Sequence, residues 1–198
     1  MKISGKFILK VAGTLTVIAL VVAALLGVVN NVTKDKIAEQ DAENTRIAMS
    51  AVAPEGSEFG DKMDISDAVA AAASAQGGKI VEMYPMTNGG ADAGYVVKVS
   101  ASGSQGTITM MVGVDANKAI TGISVISHSE TSGIGTKVVG NEPTASGVGV
   151  LDQFIGKSAA DGTLTVGTNV DAITGATVST KGVTAGVNAA LAAVAAMG

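Results

Sequence analysis

The stretch Val11–Val29 carries no charged residue and is almost wholly apolar. A helix rises about 1.5 Å per residue, so about 20 such residues cross a hydrocarbon core about 30 Å thick. Phe7, Ile8 and Leu9 extend the span if Lys10 reaches its ammonium back to the interface. Lys2, Lys6 and Lys10 precede the run, whereas Lys34 and Lys36 after it are offset by Asp35, Glu39 and Asp41. That bias favours a cytoplasmic N-terminus and places everything after Asn31 outside the cytoplasm. A cleaved signal peptide is the competing reading. The length of the run, and the lack of a small-x-small cleavage site at its end, favour an uncleaved anchor.

The rest of the composition excludes several kinds of chemistry. With no cysteine there are no disulfides, thiolate-held clusters, thiol nucleophiles or acylated lipoprotein anchors. A single histidine, His128, makes a histidine-based metal centre untenable. The net charge of −4 and the lack of a basic stripe argue against nucleic-acid binding. A redox role for such a chain requires an organic cofactor. Few aromatic residues are present, so the core must be built from Val, Ile, Ala, Leu and Met.

Periodicity predicts an α+β domain beyond the anchor. Thr33 to Val52 reads as a stalk helix with a sparse apolar side of Ile37, Ile47 and Val52, broken at Pro54. Asp64 to Gln76 reads as a second helix, capped by Asp64 or Ser66 and ended by Gly77-Gly78. Four strands follow at Lys79–Tyr84, Tyr95–Ser100, Thr107–Val114 and Ala119–Ser127. Turns at Asn88–Asp92, Ser102–Gly106 and Asp115–Lys118 join them into an antiparallel meander. A short helix at Val150–Gly156, with Phe154 in the core, and a short strand at Leu164–Val166 come next. Val183, Val187, Leu191 and Val194 recur at helical spacing and predict a final helix over Ser179–Met197.

Two segments carry chemistry. The first is Asp171-Ala-Ile-Thr-Gly-Ala-Thr177, at the mouth of the final helix. Thr177, Ser179 and Thr180 are all good capping types, and a helix start offers free N–H groups to an anion without any lysine or arginine. Gly175 allows close approach or a positive φ, and Ala176 leaves the hydroxyl of Thr177 unobstructed. Such a threonine is placed to be modified rather than to react unaided; the plainer reading is a helix cap after a tight turn. The second segment is the loop His128-Ser-Glu-Thr-Ser-Gly-Ile-Gly-Thr-Lys137. Gly133 and Gly135, spaced by one residue, let backbone approach a flat ligand, with Glu130 and Thr131 as polar neighbours. By itself His128 reads as a solvated or capping side chain.

The segment Val170–Thr180 resembles the flavinylation signature of the RnfG and NqrC family of FMN-binding domains. The loop from His128 is similar to that family's His-x-Glu-Thr-Pro-Gly-Leu-Gly element, with Ser132 and Ile134 in place of the proline and leucine. Thr174 stands where serine is more usual, and the family's Gly-Tyr-Gly-Gly turn is Gly103-Ser-Gln-Gly106 here. The likeness runs from about Ala48 to the end of the chain.

The resemblance implies FMN joined by a phosphoester to Thr177 by a flavin transferase of the ApbE type. Asp171, Thr174, Gly175 and Ala176 would be the recognition elements, and Glu130, Thr131, Gly133, Ile134 and Gly135 the contacts to the cofactor. It implies an electron-carrying subunit of the Rnf complex, which couples electron transfer between ferredoxin and NAD to sodium or proton translocation. The NqrC component of the related sodium-translocating NADH:quinone reductase is the alternative. An anchored extracytoplasmic binding or scaffold domain without cofactor is the reading of another class. The expected organisation is residues 1–32 as cytoplasmic N-terminus and anchor, 33–78 as stalk and helical segment, and 79–198 as an extracytoplasmic FMN-binding domain.

Overall fold

A computed structural model describes residues 5–197. Lys2, one of the three lysines before the apolar run, lies outside the described residues. The chain divides into two compact units, Met1–Glu43 and Asn44–Gly198. The first is helical and belongs to α1 (Gly5–Val52), which is 48 residues long and runs through the expected anchor and stalk without a break. Its apolar window is not buried by protein, and among the described residues it is the one helix long and apolar enough to cross a membrane.

The second unit is α+β. It contains the end of α1, β1 (Ser57–Phe59), α2 (Asp67–Ala75), β2 (Gly78–Asn88), β3 (Ala91–Ser102), β4 (Thr107–Val114) and β5 (Ile120–Ser127). Then come α3 (Gly135–Val139), two 3₁₀ turns (Asp152–Phe154 and Ala159–Asp161) and α4 (Thr177–Ala195). The strands form one antiparallel sheet in chain order, β1-β2-β3-β4-β5. Short polar turns dictate that order. Between β4 and β5, for example, the carboxylate of Asp115 accepts from the N–H groups of Asn117 and Ala119, each at 2.8 Å.

Alternation along β3 and β4 gives the sheet two apolar faces. Val97, Val99, Ile108, Met110, Val112 and Val114 point to the larger core, where Val183, Val187, Leu191 and Val194 of α4 cover them. Each such buried side chain contributes about 1.5–3 kcal/mol relative to exposure. Val96, Met86 and Met111 point the other way and meet Ala48, Met49 and Val52 at the end of α1. Phe154 is fully buried in the larger core, as its sequence context predicts.

Several boundaries differ from the sequence expectations. The stalk helix docks through Thr45, Ala48, Met49 and Val52, while Ile37 and Ile47 are exposed. The reason lies in the sheet: Gly113 and Gly122 are register partners on β4 and β5. A side chain on Gly113 would overlap the carbonyl oxygen of Val52, and a Cβ on Gly122 would lie 3.1 Å from its Cα. This bare patch admits the helix backbone closely, which rewards small residues over isoleucine. The helix expected at Val150–Gly156 shortens to a 3₁₀ turn, and Leu164–Val166 gives only an isolated bridge between Val166 and Val170. Ser66 caps α2, accepting from the N–H of Val69.

Candidate functional site

Three segments far apart in sequence meet at the start of α4. These are the Gly103–Gly106 turn between β3 and β4, the 130–135 loop after β5, and the 175–179 helix entry. They enclose a cleft of about 150 Å³, lined by Ser104, by Glu130, Thr131, Ile134 and Gly135, and by Gly175 through Ser179. A larger hollow of about 340 Å³ lies beside Gly77–Lys79 and Ser100–Ser102, but Lys79 is its one charged side chain and no motif residue lines it.

Glu130 organises the convergence. It is 7% exposed, yet its carboxylate has three protein donors. One oxygen accepts from the N–H groups of Ser104 at 2.8 Å and Gln105 at 3.2 Å. The other accepts from the hydroxyl of Ser179. A buried carboxylate is tolerated only when its lone pairs are met in this way. The neighbours are trimmed to fit: a side chain on Gly103 would overlap one carboxylate oxygen, and a Cβ on Gly135 would sit 2.5 Å from the other. Glu130 is therefore first a brace between turn, loop and helix.

The remaining loop residues set its shape. Thr131 is exposed, and its carbonyl accepts from Ile134 and Thr136, both at 3.2 Å. Gly133 adopts φ +75° and donates to the hydroxyl of Thr136 at 2.8 Å, which starts α3 inside what reads in sequence as plain loop. Ile134, 49% exposed, and Val178, 57% exposed, both line the cleft. His128 is exposed, with Nδ1 accepting from the N–H of Glu130.

The helix entry differs from expectation in one informative way. α4 begins at Thr177, with Ala176 as its N-cap, and no side chain caps it. Ser179 and Thr180 are used elsewhere: Ser179 bonds Glu130, and Thr180 donates to the carbonyl of Ala176 at 3.1 Å. The first-turn N–H groups thus have neither intrahelical acceptors nor a capping oxygen, and no acidic residue occupies that turn. Thr177 is exposed beside them, Ala176 is buried, and Gly175 takes φ +85°. Of the expected site residues, Glu130, Thr131, Ile134, Gly135, Gly175, Ala176 and Thr177 line the one cleft. Asp171, Thr174 and Gly133 do not line it; Asp171 and Thr174 lie on the approach to Thr177, with Asp171 exposed. Ser104 and Ser179 complete the cleft. Ser179 reads in sequence as a capping type, and nothing in its spacing reveals its partner in the chain.

The fold and the cleft define a small α+β domain, preceded by a long apolar helix, whose two motif segments meet at the start of α4. Comparison with known proteins agrees: residues 103–192 match the FMN-binding domain family, and residues 1–52 match the RnfG N-terminal region. The chain is 34% identical to the G subunit of the Na(+)-translocating ferredoxin:NAD(+) oxidoreductase complex of Acetobacterium woodii, over 94% of this chain and 91% of that one. It is 33% identical to the G subunit of the ion-translocating oxidoreductase complex of Methanosarcina acetivorans, over 90% of each. It is 32% identical to the G subunit of the proton-translocating ferredoxin:NAD(+) oxidoreductase complex of Clostridium ljungdahlii, over 56% of this chain and 58% of that one. The chain belongs to the RnfG family, the G subunits of ion-translocating oxidoreductase complexes.

Proposed function

We propose that this chain is the subunit of a membrane-bound, ion-translocating ferredoxin:NAD oxidoreductase that carries FMN covalently, through a phosphoester to Thr177. The observation that carries the reading is the convergence of an exposed threonine hydroxyl and an uncapped helix start on one cleft. The residues present fit the group. The first-turn N–H groups of α4 and the positive end of its dipole suit the phosphate oxygens; that turn has no acidic residue of its own, and the nearby carboxylate of Glu130 is taken up by Ser104, Gln105 and Ser179. Ile134 and Val178, both exposed and both lining the cleft, offer apolar surface to a flat ring. Gly175 and Ala176 keep Thr177 accessible to a modifying enzyme, Gly135 lines the same cleft, and Gly133 turns the loop that carries it through its positive φ.

FMN, when bound, supplies one- and two-electron transfer. The protein's part is to fix position and polarity. Glu130 holds the 103–106 turn, the 130–135 loop and α4 in register, so that the cleft is formed before the cofactor arrives. A covalent tether suits a domain outside the cytoplasm, where a dissociated cofactor would be lost. On this reading residues 1–32 anchor the chain with the N-terminus cytoplasmic, residues 33–78 form the stalk and helical segment, and residues 79–198 form the extracytoplasmic FMN domain. Lys6 and Lys10 before the span support that orientation. The partners are the other subunits of the complex and an ApbE-type flavin transferase, for which Asp171 and Thr174 are recognition elements. The relatives' names carry both sodium and proton as coupling ion.

Co-expression of the full chain with a flavin transferase, followed by denaturing electrophoresis, tests the reading. A fluorescent flavin band that disappears in Thr177→Ala is the expected outcome. A band that persists in Thr177→Ala contradicts the assigned residue, and no band in the wild type contradicts the covalent link.

A further inference from the structure

The loop that presents Thr177 is held at its far end by a side chain that neither of the two chemical motifs includes. Val170 and Ala176 are buried and fix the two ends of the segment 170–176. Between them the backbone has little internal support, its one described bond running from the N–H of Ala176 to the carbonyl of Ile173 at 2.9 Å. Gln153 supplies the rest. Its side-chain carbonyl accepts from the N–H of Asp171 at 2.7 Å, and its side-chain amide donates to the carbonyl of Asp171 at 2.8 Å. The pair reproduces what a neighbouring strand would give that residue, with both main-chain groups met by one planar amide. Among the described residues, no other side chain bonds the backbone of 171–175.

The bracket is itself rigidly mounted. Gln153 sits in the 3₁₀ turn Asp152–Phe154, whose Phe154 is fully buried in the core. Preceding residues are pinned as well: Asn141 accepts from the N–H groups of Leu151 at 2.8 Å and Asp152 at 3.3 Å. The acidic side chain of Asp171 is left exposed, since only its backbone is used. With its main chain fixed and its carboxylate exposed, Asp171 is accessible to a group outside the chain.

We infer that Gln153 is a positioning residue for flavinylation: it holds the Asp171–Thr177 segment in the conformation that the flavin transferase binds. The inference rests on the covalent reading given above. In the transfer, Thr177 Oγ forms a bond to the flavin phosphate phosphorus of an activated flavin dinucleotide. The phosphoanhydride bond breaks, a nucleoside monophosphate leaves, and the hydroxyl proton passes to a base on the transferase; no electrons are exchanged. Gln153 touches none of these atoms. It acts by lowering the ordering that the acceptor loop must undergo on binding.

The test compares full-length wild type, Gln153→Ala and Gln153→Glu as acceptors for the transferase with flavin dinucleotide, following flavin incorporation against acceptor concentration. Glutamate keeps the acceptor for the Asp171 N–H but sets an anion against the Asp171 carbonyl, so the two variants fail for different reasons and neither perturbs the core. Both are expected to lower kcat/KM about tenfold, the factor equivalent to about 1.4 kcal/mol, through KM with kcat nearly kept. Amide exchange at residues 171–175 is expected to quicken while β3, β4 and α4 stay protected. Wild-type kinetics in both variants overturns the positioning role and leaves the covalent reading standing. A fall in kcat with unchanged KM overturns it by placing the effect on the transfer step, and faster exchange throughout the sheet overturns it by showing a general loss of structure. Wild type that takes no flavin in the same reaction overturns the covalent reading itself.

Discussion

The hydroxyl of Ser179 donates to the carboxylate of Glu130, tying the first turn of α4 to a loop 49 residues earlier in the chain. Both groups are buried, and the same carboxylate reaches the turn between β3 and β4. The cleft beside Thr177 exists because of this contact.

Removing the donor isolates that contribution. In Ser179→Ala the buried carboxylate of Glu130 loses one of its three donors, and the expected cost is about 1–3 kcal/mol. Thr177→Ala, two residues earlier and exposed, is expected to change stability by no more than about 0.5 kcal/mol. Urea unfolding of the two full-length variants in detergent checks the contrast. Equal losses would mean that Glu130 is not the brace described.

Gly135 tests the same packing from the loop side. An added Cβ would stand 2.5 Å from a carboxylate oxygen of Glu130 and 2.9 Å from the hydroxyl of Ser179. Gly135→Ala is expected to cost about 1–3 kcal/mol through overpacking and to lower flavin incorporation. Gly133→Ala meets no atom within 4 Å, and its cost of about 1 kcal/mol comes from the positive φ alone. The same unfolding measurement ranks the pair.

On the opposite face of the sheet, Lys98 is 4% exposed where the end of α1 docks. It donates to the hydroxyl of Thr45 at 2.9 Å and lies 3.7 Å from the carboxylate of Glu82. Glu82→Ala removes an acidic partner from a buried ammonium and is expected to cost about 3 kcal/mol. Lys98→Met keeps an apolar chain of similar length beside its register partner Met111, while Glu82 retains Lys62 at 3.2 Å, and is expected to cost less than Glu82→Ala. Thermal melts of both variants decide the order.

Acid stability carries a local signature. Asp161 accepts from the backbone N–H and hydroxyl of Ser158, and these bonds hold its carboxyl below the ordinary range. A lowered folded-state pKa adds stability above the unfolded pKa, and that share is lost as pH falls through the folded value. Asp161→Asn does not titrate, so its stability should fall less between about pH 4 and pH 2. Denaturant midpoints across that range measure the difference in slope.

Much of this architecture was legible because its signals are local. Alternating Val and Met with short polar turns gives β3, β4 and β5 their order, and the spacing of Val183, Val187, Leu191 and Val194 gives α4 its core face. The docking face of α1 was legible only at Val52. It depends on Gly113 and Gly122 standing side by side across two strands, so that Ala48 and Val52 fit where Ile47 does not. The motif residues around Thr177 stand out by composition, but their division of labour does not. Whether Glu130 meets a ligand or braces the fold depends on Ser104, Gln105 and Ser179, which are distant in sequence. Gln153 belongs to neither of the two chemical motifs; its role follows only from where a 3₁₀ turn places one amide against Asp171.

Intact mass of the denatured full chain, produced with a flavin transferase and mapped by fragmentation, addresses the central claim most directly. The account predicts an added mass of FMN less one water, carried by the fragment that contains Thr177 and absent from Thr177→Ala. An unmodified Thr177 in that preparation, or the adduct on another residue, would contradict it.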